Sequence, residues 1–266
     1  MDWSKTKTIF IMVFLVLDIF LLYQFYEKKK TNQPDYLTET TAEEQMKQER
    51  ITLPEFQNEP VKESILMGNR KEFSKDDSKK FKNQELSLDD KTRLVANFKK
   101  TTTVSKDFDP NELAGFLKEN IYEGQSYKFW EFDQPSNRII YYQSYGNKTF
   151  YNNTNAKLTL RLNEKREIVA YEQTYLEDIK PMNKKQEILP ANKAIVQLYN
   201  KGSLPESTKI TNEDVELGYY SLLKSSSSSY LLTPTWRIKV NGKDMYVKAF
   251  DGEVIELDTE EKIQLE

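Results

Sequence analysis

Residues 230–257 run YLLTPTWRIKVNGKDMYVKAFDGEVIEL, and their punctuation decides the fold. Asn241-Gly242 and Asp251-Gly252 are dipeptides that accept positive φ, as a short hairpin between right-twisted strands requires. The spacing predicts strands over 230–240, 245–250 and 254–257. Trp236, Ile238 and Val240 alternate with polar residues and so share one sheet face. Strands joined by turns this tight are antiparallel, because a parallel pair needs a crossover of a dozen or more residues.

Working outward, a strand is expected over 215–223, and the serine run 225–229 reads as a flexible turn. Pro190 opens a helix with Ile195, Leu198 and Tyr199 inward and Gly202 beyond its end. The same order occurs earlier in the chain. Asp109 is a suitable N-cap, Pro110 suits the first helical position, and Glu112 stands at capping-box spacing, which predicts a helix over 110–120. Leu113, Phe116, Leu117 and Ile121 form its apolar face. Strands are expected over 127–132, 138–143, 157–162 and 168–175, with a hairpin turn at 163–166. Leu158, Leu160 and Leu162 alternate with polar residues. The aromatic run 127–132 has two readings, sheet core or partner surface.

The fold class is therefore α+β: a helix packed on an antiparallel meander, twice, without residue-level identity between the halves. Pro181 marks the boundary, giving a first domain over 51–180 and a second over 181–266. Residues 27–50 are polar and read as a juxtamembrane linker with a short helix over 42–50. Residues 71–90 are charged and read as an exposed loop or surface helix.

The N-terminal end is different in kind. After a short tail over 1–8, residues 9–26 are apolar except for Asp18 and a closing Gln24. A helix over Thr8 to Tyr26 is about 28 Å long, against about 30 Å for a bilayer's hydrocarbon core. Trp3, Tyr23 and Tyr26 would sit at the two interfaces. The run ends in Gln-Phe-Tyr-Glu-Lys rather than the small residues a signal peptidase needs, so the segment reads as an uncleaved anchor. Asp18 would cost about 2.5–3.5 kcal/mol at mid-bilayer. Ile11, Phe14, Leu15, Leu21, Leu22 and Phe25 fall on its face of the helix, at spacings of 3, 4 and 7. Two readings stand: a helix–helix contact face centred on Asp18, or a single carboxyl tolerated in a very apolar helix. The lysine count, two before the helix and three after, favours a cytoplasmic soluble part.

The chemistry available to the rest is narrow. Cys and His are absent, so no thiolate, imidazole base or Cys/His metal site exists. Five of 39 basic and three of 42 acidic residues precede residue 31, leaving the soluble part near −5 and without a nucleic-acid footprint. There is no glycine-rich phosphate loop and no Gly-x-Ser-x-Gly elbow. The carboxylate pairs Glu43-Glu44, Asp76-Asp77, Asp89-Asp90 and Glu260-Glu261 read as solvated surface, because adjacent side chains diverge. No enzyme activity, cofactor or metal is expected.

Two stretches together resemble a family. One is the start, Met1-Asp2-Trp3-Ser4-Lys5-Thr6-Lys7-Thr8-Ile9-Phe10-Ile11, running into the anchor. The other is Leu217-Gly218-Tyr219-Tyr220-Ser221 with Pro234-Thr235-Trp236-Arg237-Ile238, Tyr246-Val247 and Phe250-Asp251-Gly252-Glu253-Val254. The chain is similar to the YycI (WalI) family, and its C-terminal motif also resembles YycH and, more loosely, PepSY-like modules. The resemblance implies a cytoplasmic N-terminus and an extracytoplasmic, non-enzymatic body in the cell membrane. It implies an accessory regulator that works with a YycH-like protein, as a heterodimer, on a WalK/YycG-type sensor histidine kinase. Regulation, in this reading restraint of the kinase, would run through transmembrane contacts, with Asp18, Phe14, Leu21, Leu22 and Phe25 as the interaction residues. The alternative is an anchored ligand-binding or peptidase-inhibitor module of PepSY type.

Overall fold

The computed structural model describes residues 3–31, 36–56, 60–78, 81, 83–221 and 229–256. Five helices occur among them: α1 (Trp3–Thr31), α2 (Tyr36–Gln48), the single turn α3 (Lys75–Ser78), α4 (Ala114–Asn120) and α5 (Ala191–Asn200). The strands are β1 (Lys62–Glu63), β2 (Leu66–Arg70), β3 (Gln84–Asp89), β4 (Arg93–Thr103), β5 (Tyr127–Asp133), β6 (Arg138–Tyr145), β7 (Lys148–Tyr151) and β8 (Lys157–Leu162). They continue as β9 (Glu167–Gln173), β10 (Leu176–Pro181), β11 (Gln186–Glu187), β12 (Val215–Tyr220), β13 (Ser229–Val240), β14 (Lys243–Lys248) and β15 (Val254–Ile255).

The α+β architecture is the expected one, a helix on an antiparallel meander in each half. In the first, the order β3-β4-β9-β8-β6-β5 is antiparallel throughout. Leu94, Ala96, Ile139, Tyr141, Leu158, Leu160, Ile168 and Tyr171 point from it into a core with Leu113, Leu117 and Ile121 around α4. In the second, β12-β13-β14-β15 is antiparallel, and Ile238, Val240 and Val247 pack on Ala194, Ile195 and Leu198 of α5.

The local chemistry explains the turns. Val240 pairs with Lys243 across Asn241 and Gly242, which have φ of 50° and 81°, the positive pair that a type I′ hairpin needs. Asp109 caps the first helix by accepting from the Asn111 N–H at 2.9 Å. Its first turn, Pro110–Leu113, is a 3₁₀ turn, and Glu112 does not close a capping box. Its carboxylate instead takes the Ser105 N–H and hydroxyl at 3.0 and 2.6 Å. Beyond α5, Gly202 at φ 69° donates to Tyr199 O, and Ser203 donates to Leu198 O. Within β5 a bulge between Phe129 and Glu131 resets the alternation. Phe129 and Phe132 therefore both join the first core, while Trp130 turns to the opposite side among Tyr151, Tyr220 and Tyr246.

Several boundaries differ from the sequence reading. The stretch expected as a linker, 27–50, carries the end of α1 and then α2. Ala42 and Met46 of α2 are 3% exposed and lie in the α5 core with Ile51, Leu53 and Phe56. The reason is length: two turns suffice to present an Ala–Met pair four residues apart to one face. Residues 71–90 include β3 as well as the short α3, because Gln84 and Leu86 find partners in the first sheet. At Pro181 the chain is still in a strand, pairing with Leu66 of β2. The end of the strand expected over 215–223, the serines at 225–228, Leu257 and the Glu260-Glu261 pair lie outside the described residues.

The two meanders belong to one hydrogen-bonded network. β7 is antiparallel to β6 and parallel to β12, where Phe150 and Tyr151 pair with Tyr219 and Tyr220. β2 lies between β10 and β13. Glu63, 6% exposed, bridges the same seam: it accepts from the Tyr219 hydroxyl at 2.8 Å and meets the Lys148 ammonium at 2.9 Å.

Candidate functional site

The site suggested by the sequence is one face of α1. The run holds neither Gly nor Pro, and an apolar segment away from water satisfies its backbone N–H and C=O groups internally only as a helix. The span Thr6–Phe25 is 20 residues, long and apolar enough to cross a membrane by length and composition, and none of it is buried against the rest of the chain. At 100° per residue, Phe14, Leu21, Leu22 and Phe25 fall within about 60° of Asp18 around the helix axis. All four are exposed, at 55%, 53%, 65% and 67%, and Asp18 is exposed with them. The structure thus brings the five residues onto one stripe. Phe10 and Phe14 add a ring pair with centroids 5.8 Å apart, and the Lys7 ammonium lies 5.1 Å from the Trp3 ring. Such a stripe can do one kind of chemistry: pack against another apolar helix and offer it a carboxyl in a medium where polar partners are scarce.

Among the described residues the carboxylate pairs do not converge on one site. Glu43, Glu44, Asp89 and Asp90 are exposed, and the Asp77 carboxylate accepts from the Ser74 N–H and hydroxyl. No group of three or more carboxylates suited to a metal occurs among the described residues.

A second feature escaped the sequence reading. The face of the first meander turned away from α4 carries Trp130, Arg138, Ile140, Tyr142, Lys157 and Thr159 around a hollow of about 400 Å³. Register brings them together: Tyr142 is opposite Lys157 and Ile140 opposite Thr159. The alternation of Lys157, Thr159 and Arg161 with three leucines was legible. Which strand lies beside them was not, because nothing local specifies a pairing between residues 138 and 161. On the neighbouring side Trp130 packs on Tyr142 and Tyr151, with the Arg237 guanidinium 4.7 Å from its ring centroid. Arg237 in turn is 3.6 Å from Glu216 and 3.4 Å from Asp244, whose carboxyl is pushed up by burial against the opposing pull of Arg237 and Lys239.

An apolar helix long enough to cross a membrane, followed by an α+β body of helix-covered antiparallel sheet, defines the class. A family model described as YycI protein matches residues 30–250, and the chain belongs to the YycI family. The candidate span Thr6–Phe25 precedes the matched residues. Among solved structures, the chain is similar to YycH from Bacillus subtilis, at 14% identity and a TM-score of 0.36, covering 72% of this chain and 51% of that one. It is also similar to the Bacillus megaterium YpeB C-terminal domain, at 12% identity and a TM-score of 0.37, covering 73% and 90%. The chain thus spans about half the length of the YycH chain. No curated protein matches it.

Proposed function

We propose that this protein is a non-enzymatic membrane regulator which, with a YycH-like protein, restrains a WalK/YycG-type sensor histidine kinase through contacts of its anchor helix. The observation that carries the reading is the stripe of Asp18, Phe14, Leu21, Leu22 and Phe25, exposed on a candidate span and covered by nothing in the described chain. Membership of the YycI family supports this choice of partners. In this reading the N-terminus is cytoplasmic and the body extracytoplasmic. The body is divided into an α4 unit and an α5 unit, with α2 built into the latter.

No active site is needed. A helix that binds one signalling state of a kinase better than another shifts the equilibrium by that difference in affinity and no more. A tenfold shift takes about 1.4 kcal/mol. Polar contacts between membrane helices are worth about 0.6 kcal/mol on average and up to about 1.7. Asp18 with two or three apolar neighbours is therefore sufficient in size.

The test is Asp18→Leu in the full chain, followed by co-purification of the kinase and the YycH-like protein from membranes. The variant should stay in the membrane and capture at least tenfold less kinase; undiminished capture would sink the contact-face reading. Supplying only the anchor helix distinguishes the alternative, an anchored ligand-binding or peptidase-inhibitor module. A helix-borne regulator keeps its effect on the kinase, whereas a binding module loses it. Protease added to intact protoplasts should remove the body; complete protection would place it in the cytoplasm, as the lysine count alone suggests.

A further inference from the structure

The hollow on the outer face of the first meander does not end at Thr159. A second hollow of about 280 Å³ adjoins it, sharing Arg138, Lys157 and Thr159, and is walled further by Arg93, Arg161, Glu172 and Thr174. The two form a trough with an aromatic end at Trp130 and Tyr142 and a cationic end at Arg93 and Arg161.

The charges along the trough are unequally matched. Asp133 pairs with Arg138 at 2.9 Å. Glu172 pairs with Arg161 and, at 3.8 Å, with Arg93. Glu131 lies at the aromatic end and is exposed. Lys157, placed between the two ends, forms no ion pair with any described carboxylate within 4.0 Å. Its ammonium lies 5.9 Å from the Tyr142 ring centroid. Burial, and then the nearby Arg138, hold its pKa below the usual lysine range, with Glu131 and Asp133 opposing more weakly. Taking an ammonium partly out of water without a counter-charge is costly, and that cost is recovered if an anion sits beside it.

We propose that this trough binds a small anionic ligand. A single carboxylate or phosphate group is held by Lys157 and Arg138 with the Thr159 hydroxyl donating, and an attached apolar ring lies along Trp130, Ile140 and Tyr142. The larger hollow is within the range of pockets that take small molecules, roughly 300–1,000 Å³. Glu131, Asp133 and Glu172 line the same trough and would repel a polyanion, which selects a compact ligand with one anionic group. The inference is independent of the regulatory reading above, since none of its residues lies in the anchor helix.

The test uses the full chain in detergent micelles. Phenyl phosphate and phenylacetate are titrated separately, with inorganic phosphate and neutral benzyl alcohol as comparators, and tryptophan emission is read. At least one phenyl anion should saturate, binding tenfold or more tighter than either comparator; which one does tells phosphate from carboxylate. Lys157→Met should weaken that binding at least tenfold, and Lys157→Arg should keep it within a few-fold. Lys157→Gln serves as the second neutral variant if the methionine form does not fold. Absence of saturation with both phenyl anions, or undiminished binding to a folded neutral variant, would overturn the proposal.

Discussion

Gly218→Ala tests whether the two meanders meet as closely as the parallel β7–β12 pairing implies. A Cβ at Gly218 would stand 2.4 Å from Cε2 and Cζ of Tyr151 and 2.5 Å from the Thr149 carbonyl oxygen, against 3.4–4 Å for ordinary contact. Neither neighbour can yield cheaply. The Thr149 oxygen is backbone of β7. Tyr151 is 1% exposed, wedged among Tyr220, Tyr246 and Trp130, and its hydroxyl donates to Glu216 O at 3.1 Å. Overpacking of this kind costs about 1–3 kcal/mol. Displacing the tyrosine also loses its hydrogen bond, about 1 kcal/mol. The total of about 2–4 kcal/mol lowers Tm by roughly 4–16 °C, at about 2–4 °C per kcal/mol for a body of this size. The assay is thermal unfolding of the full chain in micelles, followed by near-ultraviolet circular dichroism. Gly115→Ala is the control: it lies in α4 with nothing within 4 Å of its Cβ, and should stabilise by about 0.5–1 kcal/mol. A Gly218→Ala protein that melts with the wild type, or a control that loses as much, would refute the close approach.

Three further outcomes are expected. Met46→Ala should lower the urea midpoint by the equivalent of about 2–5 kcal/mol, the usual cost of emptying a buried methionine site; a tether would show no change. Glu63→Gln should destabilise by about 1–3 kcal/mol, because the Tyr219 hydroxyl and the Lys148 ammonium lose a shared carboxylate; the urea midpoint again reads it. Lys157 has its pKa lowered by burial and by Arg138. Its penalty on folding is present in full below that lowered pKa and is relieved as pH rises from there toward 10.5. The stability advantage of Lys157→Met should accordingly be largest near neutral pH and shrink at alkaline pH, as measured by urea unfolding of both proteins.

What the sequence made legible was whatever depends on near neighbours. Asn241-Gly242, Asp109-Pro110 and Gly202 each impose a backbone geometry by themselves, and each stands where that geometry is needed. The stripe around Asp18 follows from helical periodicity alone. What was missed depends on distant partners. β4 hides Leu94 and Ala96 completely, yet its run of Lys99, Lys100 and three threonines reads as surface. β2 is held by strands more than 100 residues away, and its Gly68 and Asn69 weaken any local strand signal. The trough around Lys157 is of the same kind. Its walls come from five strands, β4, β5, β6, β8 and β9, and only the register brings the aromatic end to the cationic one.

The place of α2 has a consequence for how the protein is made. Ala42, Met46 and Ile51 leave the ribosome early, but the surface they bury against is built from α5, β13 and β14. Until those are synthesised, an apolar patch close in sequence to the candidate span has nothing to fold onto, while the whole α4 meander can already close. The α5 core is thus completed only when the first and last parts of the body meet, the order of assembly that leaves nascent chains exposed longest. Shortening the C-terminus past β14 should therefore yield not a smaller folded protein but a chain with half a body folded and α2 loose, a natural target for proteases.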